Sequence, residues 1–380
     1  MITLDAISEL TADLIAIDST NPDLVPGGAG EADIAAFVAG WLREAGLSVT
    51  VHDLGPDRAN VVGILPGTGE GRSLMLNAHM DVVGAGGMID PWTPRREGDR
   101  LYGRGSYDMK ASLAVIMLLA REATWWGLRG DLLVTAVADE EFASIGTQDI
   151  VRHYRADAAV VTEPTGLDLC VAHKGFAWIE VETSGVAAHG SLPGVGVDAI
   201  AMMGPVLTGI AQLDQQLRSG SRHALLGTGS VHASLIEGGQ ELSSYPHRCV
   251  VGIERRTVPG ESLEQVEAEI ATILDNAARQ NPSFRAQQRT LLMREPFSVG
   301  TDERIVQLAK QELERVRGDV PPLTGAFGWM DSALLSAAGI PTVIVGPDGK
   351  GAHADEEWVD LSSALTTADA LSGVLRAFCA

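Results

Sequence analysis

The stretch SLMLNAHMD (73–81) decides how the chain reads. Its first four residues form a short run without charge, and such a run fits a strand buried on both faces of a parallel sheet. The run then gives way to Asn77, His79 and Asp81, groups that a buried strand would exclude unless they serve a site. The pattern recurs along the chain. LLVTAVA (132–138) runs into Asp139-Glu140-Glu141, and AAVVT (158–162) ends at Glu163-Pro164. PTVIV (341–345) opens a Gly-rich loop that reaches His353. In an open α/β sheet, ligands bind beyond the carboxyl ends of the strands. Four strands therefore bring metal-competent side chains to one sheet edge. A fifth such group, Asp108 in GRGSYDMK (103–110), directly precedes an apolar helix that begins near Ala111.

Around these segments, strands at 47–51 and 60–65 and helices at 34–45 and 112–124 complete an α/β alternation. The alternation resumes in the C-terminal part, with helices at 303–316, 332–338 and 361–378. The middle differs: strand 175–183, helix 197–217, strands 230–236 and 248–256, helix 263–278, strand 284–292. That β-α-β-β-α-β order is the ferredoxin-like unit. At 380 residues the chain exceeds one ordinary core, so two domains are expected. The reading is a discontinuous metal-binding catalytic domain, 1–173 and 291–380, interrupted by an inserted α+β domain at 174–290.

A formal charge of −22 disfavours nucleic acid and anionic membranes as partners, since both are polyanionic. No apolar run approaches the ~20 residues needed to span a bilayer. The first 22 residues lack a signal peptide's basic start and uninterrupted apolar core, and their apolar spacing suits an amphipathic helix. Cys170, Cys249 and Cys379 form no metal or disulfide motif, which fits buried free thiols in a reducing cytoplasm.

Two histidines with carboxylates and no cysteine suit Zn²⁺ in a hydrolytic role, and Co²⁺ or Mn²⁺ can take the same ligands. Two ions sharing one carboxylate would activate water and polarise a scissile carbonyl. A carboxylate outside the ligand set must then shuttle the proton, and Glu140 is the neighbour available. Asp81 is expected to accept the second ring N–H of His79. Taken singly, each piece has a plainer reading. His79-x-Asp81 could be a hydrogen-bonded loop pair, the Asp-Glu-Glu run a solvated helix start, Asp108 a helix N-cap, Glu163-Pro164 a turn and His353 a loop histidine. Joint placement at one edge favours the metal site. His52, His153, His173, His223, His232 and His247 match no catalytic pattern and read as structural.

With these residues in place, the chain resembles the M20 metallopeptidases and deacylases. This family includes acetylornithine deacetylase, succinyl-diaminopimelate desuccinylase, aminoacylase and glutamate carboxypeptidase. LNAHMDVV (76–83), YGRGSYDMKAS (102–112), DEE (139–141), TEPT (162–165) and GAHADEEWV (351–359) resemble its metal and base motifs. The resemblance implies a zinc-exopeptidase-like α/β catalytic domain with an inserted ferredoxin-like lid and dimerisation domain. It also implies two divalent ions bridged by Asp108, with His79 and Glu163 completing one site and Glu141 and His353 the other. SGVAAHGSLPGVGVDAI (184–200) resembles the lid motif whose histidine, here His189, stabilises the oxyanion, in many dimeric members within the partner subunit's site. IERRTVPGE (253–261) resembles the motif whose arginine, here Arg256, holds the substrate carboxylate, a role suited to guanidinium. Ser243 stands where many members carry asparagine, and a serine reaches less far. As plainer readings, His189 could cap a loop and Arg256 could be a surface strand residue.

The expected activity is hydrolysis of an N-acyl amino acid, acetylornithine deacetylase-like, with an exopeptidase acting on short peptides as the alternative. The expected partners are that small substrate and a second copy of the chain. A binding protein on the same scaffold is disfavoured by the complete ligand and base set. A dinuclear phosphoesterase lacks a phosphate-cradling glycine loop here, and the missing G-x-G-x-x-G argues against a nucleotide cofactor.

Overall fold

The computed structural model describes residues 1–380, which divide into two compact units. One comprises Met1–Val171, Val299–Thr324 and Met330–Ala380; the other comprises Ala172–Ser298 and Gly325–Trp329.

The first unit is built on a mixed sheet whose centre is four parallel strands, Leu132–Val137, Leu74–His79, Ala158–Val161 and Thr342–Ile344, adjacent in that order. Every residue of these four strands is buried, as the unbroken apolar runs anticipate. Ser48–Gly55 and Arg58–Leu65 extend the sheet antiparallel on one side. Ser48–Gly55 is the edge, and its residues are exposed or half-buried throughout. Leu169–His173, a strand the sequence reading did not separate from its surroundings, continues the sheet beyond Thr342–Ile344.

Ala111–Ala123 is apolar on nearly every face, and eleven of its residues are buried, so it is the helix around which the others pack. Leu4–Ile15 and Leu361–Phe378 lie against it. Both open on a side-chain cap, Thr3 Oγ1 accepting from the N–H of Ala6 and Asp360 Oδ1 from that of Ser363. No helix is long and apolar enough to cross a membrane.

The second unit runs Gly175–Ser184, Ala199–Ser219, Ser230–Gly238, Arg248–Thr257, Leu263–Gln280, Ala286–Arg294, the β-α-β-β-α-β order. Its antiparallel sheet is ordered Ser230–Gly238, Arg248–Thr257, Gly175–Ser184, Ala286–Arg294. Alternate residues of the two central strands are buried, among them Ile179, Val181, Val251 and Ile253. They share a core with Val206 and Ile210 of the first helix and Val266 and Ile270 of the second.

Candidate metal centre

Register explains why distant residues meet. His79, the last residue of its strand, stands opposite Val137, and Asn77 stands opposite Val161. Glu163, two residues past Val161, therefore lies level with His79 and on the same face. The chain leaving Val137 supplies Glu140 and Glu141, and the loop after Ile344 supplies His353.

The distances resolve two groups around Asp108. His79 Nε2 is 3.1 Å from Asp108 Oδ1 and 3.7 Å from Glu163 Oε1. His353 Nε2 is 3.0 Å from Glu141 Oε2 and 3.5 Å from Asp108 Oδ2. Each oxygen of Asp108 thus faces a different imidazole. His79, Asp108 and Glu141 offer ligand atoms within 4.8 Å of one another, and so do His79, Glu140 and Glu163. Glu140, read as the base, sits among donor atoms rather than behind them.

The plainer readings of two motifs fall away. Helix Ala111–Ala123 is preceded by Lys110 as its cap, and Asp108 has non-helical backbone, so Asp108 is no N-cap. Asp139-Glu140-Glu141 forms a turn, and the next helix starts only at Ile145. Asp139 there adopts φ 68°, a left-handed conformation uncommon outside glycine.

One expectation needs correction. His79 Nδ1 lies 2.8 Å from the backbone carbonyl of Asp81, with the nearer carboxylate oxygen at 3.6 Å. The carbonyl therefore fixes the ring. The Asp81 carboxylate is engaged elsewhere: its Oδ1 accepts from the N–H of Glu140, and its Oδ2 from the N–H of Glu141 and from Asn21 Nδ2. It holds the turn that carries the base and one ligand.

Sequence reasoning assigned no role to the residues that brace these groups. Glu357 is buried and accepts from Arg104 Nη1 at 2.8 Å and from the backbone N–H groups of Gly105, Tyr107 and Asp108 at 2.9, 2.9 and 3.0 Å. The Asp108 loop is wrapped around that one carboxylate. Gly105 in the loop has φ 76°, and a Cβ there would meet Val82 Cγ1 at 2.6 Å, so only glycine fits. Arg104 Nη2 also donates to the carbonyl of Ala354, tying in the loop of His353. Behind the turn, Arg58 Nη1 pairs with Asp139 at 2.6 Å while Arg58 Nη2 donates to Asn21 Oδ1. Asp331, buried, accepts from Thr147 Oγ1 at 2.7 Å. None of these residues carries a local signature in the sequence, because their partners lie far away along the chain.

The electrostatics are those of crowded acids. Burial, with Glu163 beside it, pushes the Glu140 carboxyl well up, and burial with Asp108 nearby takes Glu141 to about 7. Burial also raises Glu163 well above its ordinary value and Asp331 to about 6. Burial disfavours the His79 cation, yet Glu163 and the Asp108 hydrogen bond outweigh it and hold the imidazole well above its ordinary value. Hydrogen bonds to Asp108 and Glu141 raise His353 to about 10. Asp108 alone is lowered: burial opposes this, and the bonds from His353 and His79 prevail. The groups of opposite charge within ion-pair distance of Asp108, Glu141 and Glu163 are these two imidazoles. Imidazoles and carboxylates without a thiolate, short of positive charge, are a donor set fitted to divalent cations.

His189, Ser243 and Arg256 belong to the second unit. There the His189 and Ser243 segments are adjacent: Gly190 N–H donates to the carbonyl of Ser243 at 2.7 Å. The exposed His189 ring has Nδ1 2.8 Å from Ser191 Oγ. Arg256 is about one-third exposed, pairs with Glu254 at 3.0 Å and lies 5.3 Å over the Phe176 ring.

Comparison with known proteins gives a consistent result. The model of peptidase family M20/M25/M40 matches residues 75–377. An acetylornithine deacetylase of Myxococcus xanthus is 29% identical over 393 residues, covering 99% of this chain and 98% of that protein. Among solved structures, aminopeptidase PepT of Bacillus cereus superposes with a TM-score of 0.81 at 19% identity, covering 99% of this chain and 98% of the other. A dinuclear metal-binding peptidase of the M20 family from Bacillus subtilis gives 0.75 at 14% identity, covering 99% and 98%.

Proposed function

Because the chain belongs to peptidase family M20/M25/M40, and is thus a metal-dependent hydrolase of amide or peptide bonds, we propose that it cleaves N-acyl amino acids at a centre of two divalent cations. The observation that carries the two-ion reading is Asp108, whose two oxygens face His79 and His353 separately. His79, Asp108 and Glu163 would hold one ion and Asp108, Glu141 and His353 the other, Zn²⁺ being the chemically expected metal. The deacylase reading rests on the end-to-end similarity to an acetylornithine deacetylase.

When bound, the ions supply Lewis-acid polarisation of the carbonyl and make water acidic near neutral pH. Glu140 takes the proton of the attacking water on a carboxylate oxygen and returns it to the departing nitrogen, and its raised pKa suits both steps. Asp81 orients Glu140 and Glu141 by their backbone N–H groups. His189 is assigned the developing oxyanion, since Ser191 occupies its Nδ1 and leaves Nε2 to donate. Arg256 is assigned the substrate carboxylate, with Ser243 beside the His189 loop as a further polar contact.

We also assign the chain a homodimeric state and a cytoplasmic place. Strand Ser230–Gly238 is a sheet edge that exposes Leu235 and Ile236, a surface suited to pairing with a second copy. Sedimentation velocity tests this, and a monomer at micromolar concentration refutes it. The three cysteines are buried and form no disulfide, which suits a reducing compartment.

The test of function is turnover of metal-loaded protein on a panel of N-acyl amino acids, N-acetylornithine included, beside dipeptides and tripeptides. The proposal expects the highest kcat/KM on an N-acyl amino acid. Preference for peptides would make the enzyme an exopeptidase, and no turnover with metal bound would refute the assignment altogether.

A further inference from the structure

Away from these donors, two histidines that read as structural in the sequence converge on one carboxylate. His52 lies on the edge strand Ser48–Gly55, and Asp149 and His153 lie one turn apart on helix Ile145–His153. His52 Nδ1 is 2.7 Å from Asp149 Oδ2, and His153 Nδ1 is 3.2 Å from Asp149 Oδ1. Ligand atoms of all three lie within 4.8 Å of one another. None of the three is shared with the catalytic donors.

The surroundings prepare the set for an ion. His52 Nε2 is 2.9 Å from the Tyr154 hydroxyl, an oxygen that can accept the ring proton on Nε2 once an ion replaces the contact between Nδ1 and Asp149. Orientation of a ligating imidazole through its other nitrogen is the usual arrangement at metal sites. Asn60 Nδ2 donates to Asp149 Oδ2 at 3.4 Å, steadying the carboxylate. His52 and Asp149 are each 15% exposed, while His153 is 53% exposed. The site is thus anchored on two sheltered ligands and completed by an exposed third, whose side open to solvent would admit water as the fourth. Nδ1 of His153 also lies 3.0 Å from the Asp149 carbonyl, a contact it would exchange for the ion.

We propose that His52, Asp149 and His153 form an additional site for one divalent transition-metal ion, with Zn²⁺ as the fitting class: two imidazoles, one carboxylate and a water make a tetrahedral set. Bound there, the ion ties the edge strand to the helix that follows the Glu140–Glu141 turn. The role is structural and separate from hydrolysis.

The full-length protein, stripped of metal and dialysed against micromolar free Zn²⁺, is analysed for zinc per chain by mass spectrometry beside His153→Ala and Asp149→Asn. Each variant is expected to carry one equivalent less, with kcat within twofold of the parent. Reading the difference makes the result independent of how many ions the catalytic centre holds. Equal zinc in the parent and either variant overturns the site and leaves a hydrogen-bonded His–Asp–His tie. On the unmutated protein, Zn²⁺ is expected to slow diethyl pyrocarbonate modification of the His153 peptide at least fivefold; unchanged labelling likewise overturns it.

Discussion

Glu140→Gln separates proton transfer from metal binding. Gln matches Glu in shape, and the Glu140 backbone N–H stays bonded to Asp81 Oδ1 at 3.1 Å, so the turn is expected to persist. The carboxylate that is removed lies with Glu163 and His79 in a set whose donor atoms are within 4.8 Å. Two ionised carboxylates at that separation would repel by about 3 kcal/mol in an effective dielectric of about 20, which together with burial keeps both well above their ordinary values, so a neutral amide at 140 removes a group that is costly to ionise. Without metal, the variant is therefore expected to melt at or above the parent. Loss of a general base lowers kcat by about 10²–10⁴-fold, or about 3–5 kcal/mol in activation free energy. The assay is steady-state hydrolysis of the best substrate, with metal analysis and thermal melting on the same preparation. The expected result is unchanged metal content, little change in KM and kcat down by at least two orders of magnitude. A kcat within tenfold of the parent would refute Glu140 as the base, and loss of one metal equivalent would make it a ligand instead.

Glu357→Ala strips the partner from Arg104 and three backbone N–H groups; breaking a buried ion pair alone costs about 3–5 kcal/mol, so melting should fall steeply and metal affinity with it, and a melting temperature close to the parent's would contradict this. Arg58→Met leaves the buried Asp139 without its cation, with a similar loss of about 3–5 kcal/mol in denaturant titration; a loss under about 1 kcal/mol would show that the pair contributes little to the fold. The pH dependence of the metal-free protein has a definite sign. Glu141 and Glu31, raised to about 7 and about 8 from 4.5, hold their protons more tightly when folded, so their contribution falls as pH rises from 4.5 through those values. His353, raised from 6.5 to about 10, contributes fully below 6.5 and loses that contribution as pH climbs through 10. Metal-free melting should accordingly decline from pH 5 to pH 9, while metal affinity should rise over the same range because ligands must shed protons; a metal-free melting temperature that increases with pH would be the wrong sign.

Much of the centre was legible because buried parallel strands admit few polar residues, and those at their carboxyl ends stand out against Val, Leu and Ala. His79, Glu141 and Glu163 announce themselves in this way, and His353 follows from the loop after a fourth such strand. Helix Leu361–Phe378 has the bounds its periodicity predicts. Other parts rest on contacts without local signature. Glu357 sits in a run of acids that reads as solvated, and only the fold brings the Asp108 loop around it. Asn21 and Arg58 matter through their bonds to Asp81 and Asp139, 60 and more residues away. Spacing alone points the Asp81 carboxylate at the His79 ring. The turn at 139–141 competes for it with two N–H donors, and the Asp81 carbonyl takes its place at the ring. Helix Ile145–His153, short and weakly apolar, gave no period to read.

Everything proposed for hydrolysis depends on Asp108 being shared by two cations. Crystals of the zinc-loaded protein, with anomalous differences recorded above and below the zinc edge, test it directly. Two peaks are expected flanking the Asp108 carboxylate, one against His79 and Glu163 and the other against Glu141 and His353. A single peak there, or two with Asp108 contacting only one, would contradict it.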